Sequence, residues 1–389
     1  MQPRTTPARL LRRSFRPGAP RRTWKLTAGA TGLALLTGVV AACSSGAAAS
    51  GGGGGGSETS ATASVQLALS GPATATGGPF EIAEYEGFFT KQGLNINVTA
   101  LNGGPPIVEA EIAGKIDIGE YAPSTSVETY NTTHKLVAIA TEATRSVTYA
   151  VVSKKWLASH GLNPAQFQAL PLKQRIAKLQ GTSWGTHAAG GLQDHYTEIL
   201  ASYGGLDPKS GLNKVNLGNN TADQASFEGG AVSAYWPTAY QDQQELAKGT
   251  GVNVFDPSDA SVASALSPIE LGTGGTGWIL SQKWGQSHKA VVQKFLKAEL
   301  QAAQWIKSHT VQEQADVVAK HFPDVPAAAV LANVKATYQT VDYSLVMPAA
   351  AVQANLQLAK DSGEIPAGAT VPSTDVFDPS YLKSVGSGQ

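Results

Sequence analysis

Short apolar or alternating runs follow amphipathic ones from Val65 onward, and this alternation restarts once. Residues 65–70 place apolar side chains on every second position, the period of a strand with one buried face. A loop of small residues, 71–78, follows and carries Thr76. Residues 80–90 read as a helix, with Ile82, Ala83, Phe88 and Phe89 as its apolar pairs and Gly93 as its stop. Residues 94–101 alternate again and run into a turn holding Asn102 and Gly103. A short helix over 107–113, a strand over 116–119, a helix over 124–130 and a strand over 135–141 complete the first series. Such spacing predicts a parallel α/β sheet.

The series begins afresh with a strand over 148–153. Further strands are expected over 181–185, 214–217, 231–235 and 252–255, with helices over 174–179, 193–203 and 222–229 between them. A last strand covers 278–281, and the remainder is helical, with 288–309 presenting one apolar side. No short repeat runs through the chain. A globular part of roughly 325 residues exceeds what one core holds, so two lobes are expected. The chain enters the second near Val147 and returns near Gly272. Two crossings make a hinge, with a ligand site between the lobes.

The first 25 residues carry eight basic side chains and no acid, and 26–42 are uncharged and mostly apolar. This is the pattern of an export signal. It ends in Val40-Ala41-Ala42-Cys43, which resembles the bacterial lipoprotein cleavage box, and Cys43 is the only cysteine of the chain. Lipidation at Cys43 would anchor the protein to a membrane. Arg21 and Arg22 resemble a twin-arginine export signal, so Sec and twin-arginine routes both stay open. Six glycines over 51–56 make a flexible tether. Removing 1–42 leaves 21 basic and 29 acidic residues, a net charge of −8. An acidic chain without basic clusters excludes nucleic acid as a partner.

Three stretches carry a family resemblance: Glu86-Gly-Phe-Phe-Thr-Lys-Gln-Gly-Leu94, Ala113-Gly-Lys-Ile-Asp-Ile-Gly119 and Leu179-Gln-Gly-Thr-Ser-Trp-Gly185. With Phe377-Asp-Pro-Ser-Tyr-Leu382 near the end, their order resembles the extracytoplasmic substrate-binding proteins of ABC importers. The group in question binds alkanesulfonates, nitrate, taurine and thiamine precursors. The resemblance implies an α/β, two-lobed periplasmic-binding-protein-like fold with two hinge crossings. It also implies a sulfonate-like or heterocyclic solute, delivered to an ABC permease and its ATPase by a monomeric, lipid-anchored, extracytoplasmic protein that is not an enzyme. Import and sensing stay open. The expected parts are a signal peptide over 1–42, a lipidated cysteine and tether over 43–63, lobe I over 64–147 and 272–389, and lobe II over 148–271. One departure stands out: Gly230-Ala-Val-Ser-Ala234 has serine where the family often has aspartate.

Candidate ligand contacts lie at the strand ends. Glu120 and Tyr121 follow a first-lobe strand and suit a cationic or amide group, whereas Glu120 would repel a plain oxyanion. Ser124 and Thr125 open a helix whose free amides suit an anion, or simply cap it. Thr76, Asn102 and Gly103 lie on first-lobe loops, and His187 follows the strand at 181–185. Trp236 is expected to wall the cleft and Trp184 to lie in the core. Arg145 sits near the first crossing, to pair with an anion or with a hinge acid. Seven histidines form no metal motif, and no cofactor or metal is expected. The alternative is an exported hydrolase using Ser183, since Gly181-Thr-Ser-Trp-Gly185 matches a nucleophile elbow, with Asp194 or a later acid and His288, His309 or His321. A cytosolic thiamine-precursor synthase is disfavoured by the export signal and the lone cysteine.

Overall fold

A computed structural model of the chain describes residues 62–71, 75–121, 136–144, 149–256, 276–361 and 365–386. The expected helix over 124–130 and Cys43 lie outside the described residues.

Lobe I starts with β1 (Ala63–Leu69), whose Val65 and Leu67 are fully buried. Helix α1 (Pro79–Tyr85) then begins at a proline, which needs no N–H there. The single helix expected over 80–90 is in fact two. Gly87 adopts φ +68°, a left-handed conformation that stops α1, and α2 (Phe88–Lys91) begins after it. The break lets Phe89 turn inward, 5.3 Å from the ring of Phe295. Strand β2 (Leu94–Ala100), α3 (Gly104–Ile112), β3 (Ile118–Tyr121) and β4 (Leu136–Thr141) follow.

Lobe II runs β5 (Ala150–Ser153), α4 (Lys154–Ser159), α5 (Pro164–Ala169), α6 (Leu172–Ala177), β6 (Ser183–Thr186), α7 (Leu192–Tyr203) and β7 (Asn213–Asn216). It closes with α8 (Asn220–Glu228), β8 (Ala234–Tyr235), α9 (Ala239–Lys248) and β9 (Gly251–Phe255). The chain returns through β10 (Gly277–Ser281) and α10 (Gln282–Ser287) to the 20-residue α11 (Lys289–Ser308). Helices α12 (Val311–Ala319), α13 (Ala327–Tyr338), α14 (Ala349–Asp361), α15 (Ser373–Val376) and α16 (Ser380–Lys383) complete lobe I.

The sheets have orders β2-β1-β3-β10-β4 and β7-β6-β8-β5-β9. They are mixed, not parallel as expected. In each, four of the five strands run the same way and the fourth in spatial order runs against both its neighbours: β10 against β3 and β4, β5 against β8 and β9. That fourth strand is the first one laid down after a crossing, so it enters from the opposite end. The lobes are thus topological copies.

A short repeat marks the same relation. Ser153-Lys-Lys-Trp156-Leu-Ala-Ser-His160 follows β5, and Ser281-Gln-Lys-Trp284-Gly-Gln-Ser-His288 follows β10. A third Trp-x-x-Ser-His ends α11 at Trp305 and His309. In all three the histidine ring stacks on the tryptophan four residues earlier, at 3.9, 4.7 and 4.0 Å, and its Nδ1 meets that tryptophan's carbonyl at 2.9, 3.0 and 2.7 Å. Each unit adds a ring bond to a helix-end carbonyl that also accepts the hydroxyl of the serine just before the histidine.

One core fills lobe I around Leu67, Ile82, Trp278 and Phe295. A second fills lobe II around Phe167, Trp184, Leu200 and Val254. No helix among the described residues is long and apolar enough to cross a membrane.

Candidate functional site

The carboxyl ends of the parallel strands face one another across the lobes, the usual place for a ligand in open α/β sheets. Lobe I brings Ser70 from β1, Asn102 and Gly103 from β2 and Glu120 from β3. Lobe II brings His187 from β6, Gly218 from β7 and Trp236 from β8. The lobes touch where these loops meet. Gly103 has φ +88°, and a Cβ on it would lie 3.2 Å from that of Ala188. A Cβ on Gly218 would lie 3.9 Å from Asn102 Nδ2. Both glycines are therefore lobe contacts as much as ligand candidates.

Beside this contact lies a cavity of about 150 Å³, lined by Thr76, Gln193, Asn220, Trp236, Thr238 and Asn333 among others. Its lining polar groups are held from behind. Thr76 Oγ1 donates to Glu81 Oε2 at 3.1 Å. Thr238 caps α9 reciprocally with Gln241, and Gln241 Nε2 donates to the Asn220 carbonyl at 3.1 Å. The Tyr240 N–H donates to Asn333 Oδ1 at 3.2 Å, tying α9 of lobe II to α13 of lobe I.

His187 joins the two parts of the site. Its Nε2 lies 3.1 Å from Asn220 Oδ1 and 3.4 Å from Asp223 Oδ2. With Oδ1 facing the ring, Nε2 carries the hydrogen and Asn220 Nδ2 remains as a donor. Burial lowers the His187 pKa and raises that of Asp223 to about 7, so both groups are driven toward their neutral forms. On the lobe I side, Ser70 donates its N–H and hydroxyl to Glu120 Oε2 at 2.7 and 2.8 Å. Deeper in lobe I, burial raises Glu81, raises Glu142 to about 8 and lifts Glu299 well above the carboxylate range. Glu120 and Glu81 add their charges to the shift of Glu142. Among the described residues no group of three His, Cys, Asp or Glu side chains could hold a metal ion.

The structure thus brings Thr76, Asn102, Gly103, Glu120, His187 and Trp236 to the strand ends. Tyr121 is different: it is 2% exposed and belongs to the lobe I core, because the residue after Glu120 on a strand faces the opposite side. Trp236 is only 3% exposed, and one edge lines the cavity. The rest packs on Trp184, Tyr196 and Phe255, and its Nε1 donates to Thr197 Oγ1 at 2.9 Å. It is mainly a core residue, not a free stacking wall. Trp184 is core, as expected. Ser124, Thr125 and Arg145 lie outside the described residues.

Ser183 opens β6, at the end of the strand opposite His187. Its hydroxyl donates to Ser233 Oγ at 3.2 Å and accepts the Ser233 N–H at 3.0 Å. A nucleophile elbow needs serine on a turn between strand end and helix. The candidate histidines are spent elsewhere: His288 and His309 end helices, and His321 stacks on Tyr85 at 3.8 Å. Asp194 pairs with Lys214 at 2.9 Å. The Ser183–Ser233 pair also accounts for the serine in Gly230-Ala-Val-Ser-Ala234. At the matching place in lobe I, Asp117 Oδ2 accepts the Gln66 N–H at 2.8 Å while the Asp117 N–H donates to the Gln66 carbonyl, also at 2.8 Å. Either residue ties two strand starts together, on the side away from the cleft.

Gln193, Asn220, Thr238 and Asn333 were not foreseen. Two had a signal: Thr238 starts a capping box after a strand, and Asn220 follows the N-cap of a helix after another. Asn333 lies mid-helix on α13 and had none.

Two sheets of equivalent order, joined by two crossings and closed on a polar cavity, define a two-lobed periplasmic-binding fold, and solved structures share it. The chain is similar to a protein from Bordetella bronchiseptica RB50, with 19% identity, a TM-score of 0.66, and 83% of this chain and 96% of that one covered. The alkanesulfonate-binding protein from Xanthomonas axonopodis pv. citri, bound to MOPS, gives 16% identity and a TM-score of 0.58 over 79% and 94%. The periplasmic nitrate-binding protein from Synechocystis PCC 6803 gives 14% and 0.62 over 84% and 88%. Residues 60–322 match the NMT1-like family, and the chain belongs to it. No curated protein matches it by sequence.

Proposed function

We propose that this chain is the solute-binding component of an ABC-type importer. It captures a small organic solute between lobe I (64–147 and 272–389) and lobe II (148–271) and hands it to a membrane permease. The observation that carries this reading is the interlobe cavity, to which Thr76 and Asn333 come from one lobe and Gln193, Asn220, Trp236 and Thr238 from the other. A ligand touching both lobes stabilises the closed arrangement over the open one, and that difference is what a permease can read. Binding needs no covalent step, which agrees with a site of amides and hydroxyls. Asn102, Gly103, Glu120 and His187 border the same cleft and are proposed to set the approach of the solute.

Cys43 is proposed to carry the lipid, after removal of 1–42, with 43–63 as the tether. The function is tested by titrating intrinsic fluorescence against a broad solute panel, since Trp236 both lines the cavity and packs on Trp184. Saturable change with a small solute, together with loss of its uptake on gene deletion, is the expected result. A solute that binds but whose uptake survives deletion would replace import by sensing. Mass spectrometry of Cys43 in the native host tests the anchor, and an unmodified thiol refutes it.

A further inference from the structure

The polar groups of the interlobe cavity differ in kind from an oxyanion site. Three are carboxamides, from Gln193, Asn220 and Asn333, and Thr76, Thr238 and Thr337 add hydroxyls. Among the described residues no lysine or arginine lines the cavity. The acids stand one layer behind it. Glu81 takes the hydroxyl hydrogen of Thr76, and Asp223 lies beside His187, which holds Asn220. An anion in the cavity would gain no formal positive charge from these described lining groups.

The hydrogen-bond polarity is also fixed. Thr76 has given its hydrogen to Glu81, so its oxygen faces the cavity as an acceptor. Asn220 Oδ1 is taken by His187, so Nδ2 is the group left to donate. Thr238 Oγ1 already accepts the Gln241 N–H at 3.3 Å, so its hydroxyl hydrogen is the part left to give. Gln193 supplies a donor and an acceptor from one side chain. The described lining, with both polarities and no charge, is complementary to a ligand with adjacent N–H and C=O groups. A cavity of about 150 Å³ is also small beside the roughly 300–1,000 Å³ of drug-sized sites.

We infer that the cavity takes an uncharged solute presenting a carboxamide or lactam edge, with Asn220 donating to its carbonyl and Thr76 and Gln193 accepting from its N–H. This rests on the solute-binding reading above and narrows its ligand class away from oxyanions. The discrimination follows because buried carboxamides left unpaired by the wrong ligand lose their own hydrogen bonds.

The test is calorimetric titration of the full chain in Tris buffer with uracil, 2-pyrrolidone, ethanesulfonate and nitrate. Binding of uracil or 2-pyrrolidone without binding of the two anions is expected. Asn220→Asp, which replaces the donor by an acceptor, and Gln193→Ala should each weaken the amide ligand about tenfold or more. Thermal melts check that both variants fold, and Gln193→Ala decides the matter if Asn220→Asp does not. Binding of ethanesulfonate or nitrate alone overturns this inference and leaves the solute-binding reading standing. Amide binding that neither folded variant weakens also overturns it, because the ligand then sits elsewhere. No binding by any of the four overturns the inference and counts against the function as well.

Discussion

Glu142 stands where the chain first leaves lobe I, and replacing it by glutamine should stabilise the protein in mild alkali. Its N–H donates to the Thr276 carbonyl on the returning crossing, and its carbonyl accepts the Asp342 N–H, both at 2.8 Å. Its carboxylate accepts the Phe80 N–H, again at 2.8 Å. Burial raises the group from 4.5 to about 8, and the charge of Glu120 pushes the same way. Between these values the unfolded chain releases its proton while the folded chain keeps it. The folded state therefore binds more protons, and this group's contribution is complete below about 4.5 and lost as pH climbs to about 8. At about 1.4 kcal/mol per unit the whole window amounts to on the order of 5 kcal/mol, an upper bound because Glu299 titrates with it. Glutamine keeps an oxygen for the Phe80 N–H and cannot ionise. Urea unfolding of Glu142→Gln and the parent at pH 5 and pH 8.5 measures this. The variant should match or fall below the parent at pH 5 and exceed it by a few kcal/mol at pH 8.5. An unchanged pH slope, or a variant weaker at both values, would refute the argument.

Gly119→Ala should cost about 1–3 kcal/mol by urea unfolding, because its Cβ would lie 2.3 Å from Ile107 Cγ2 in a packed core. Trp236→Phe removes the donor to Thr197 Oγ1 behind the cavity and should cost about 1–3 kcal/mol, read in the same way. His309→Ala ends one Trp-x-x-Ser-His unit, losing the bond to Trp305 and the stack, for about 1 kcal/mol in thermal melts.

The fold was legible because period-two runs such as 65–70 and 94–101 mark strands, and β1 and β2 lie where those runs do; in β1 the run also reports burial, whereas on the edge strand β2 only Leu94 is buried and Val98 is exposed. Strand direction was not legible. Nothing in 278–281 says that it will slot between β3 and β4 against both, since apolar content records burial and not polarity of the chain. The Trp-x-x-Ser-His unit was readable but is five residues long at unequal intervals, which a search for regular periods passes over. Glycine and polar residues after strands marked Asn102, Gly103 and His187, which the structure places at strand ends where the lobes meet. Alternation along β3 would have placed Tyr121 opposite Glu120. Asn333 was out of reach because its place depends on α13 packing near α9, a contact between residues 93 apart in sequence. Glu142 and Glu299 were passed over for a physical reason as well: acids are rarely buried without a cation, so sequence assigns them to the surface.

The placement of β10 has a consequence for how the polypeptide matures. All five strands of lobe II lie in one unbroken stretch, from Ala150 to Phe255, and can pair as soon as they are made. The other sheet lacks an inner strand until Ser281 exists, so β4 has no neighbour on that side before then. The lobe that begins first is therefore completed last, and its long-range closure is the slow, exposed stage of assembly. Until that stage β3 and β4 offer open edges, which makes a holding chaperone or rapid translocation most useful to the first half of the chain and least to the middle.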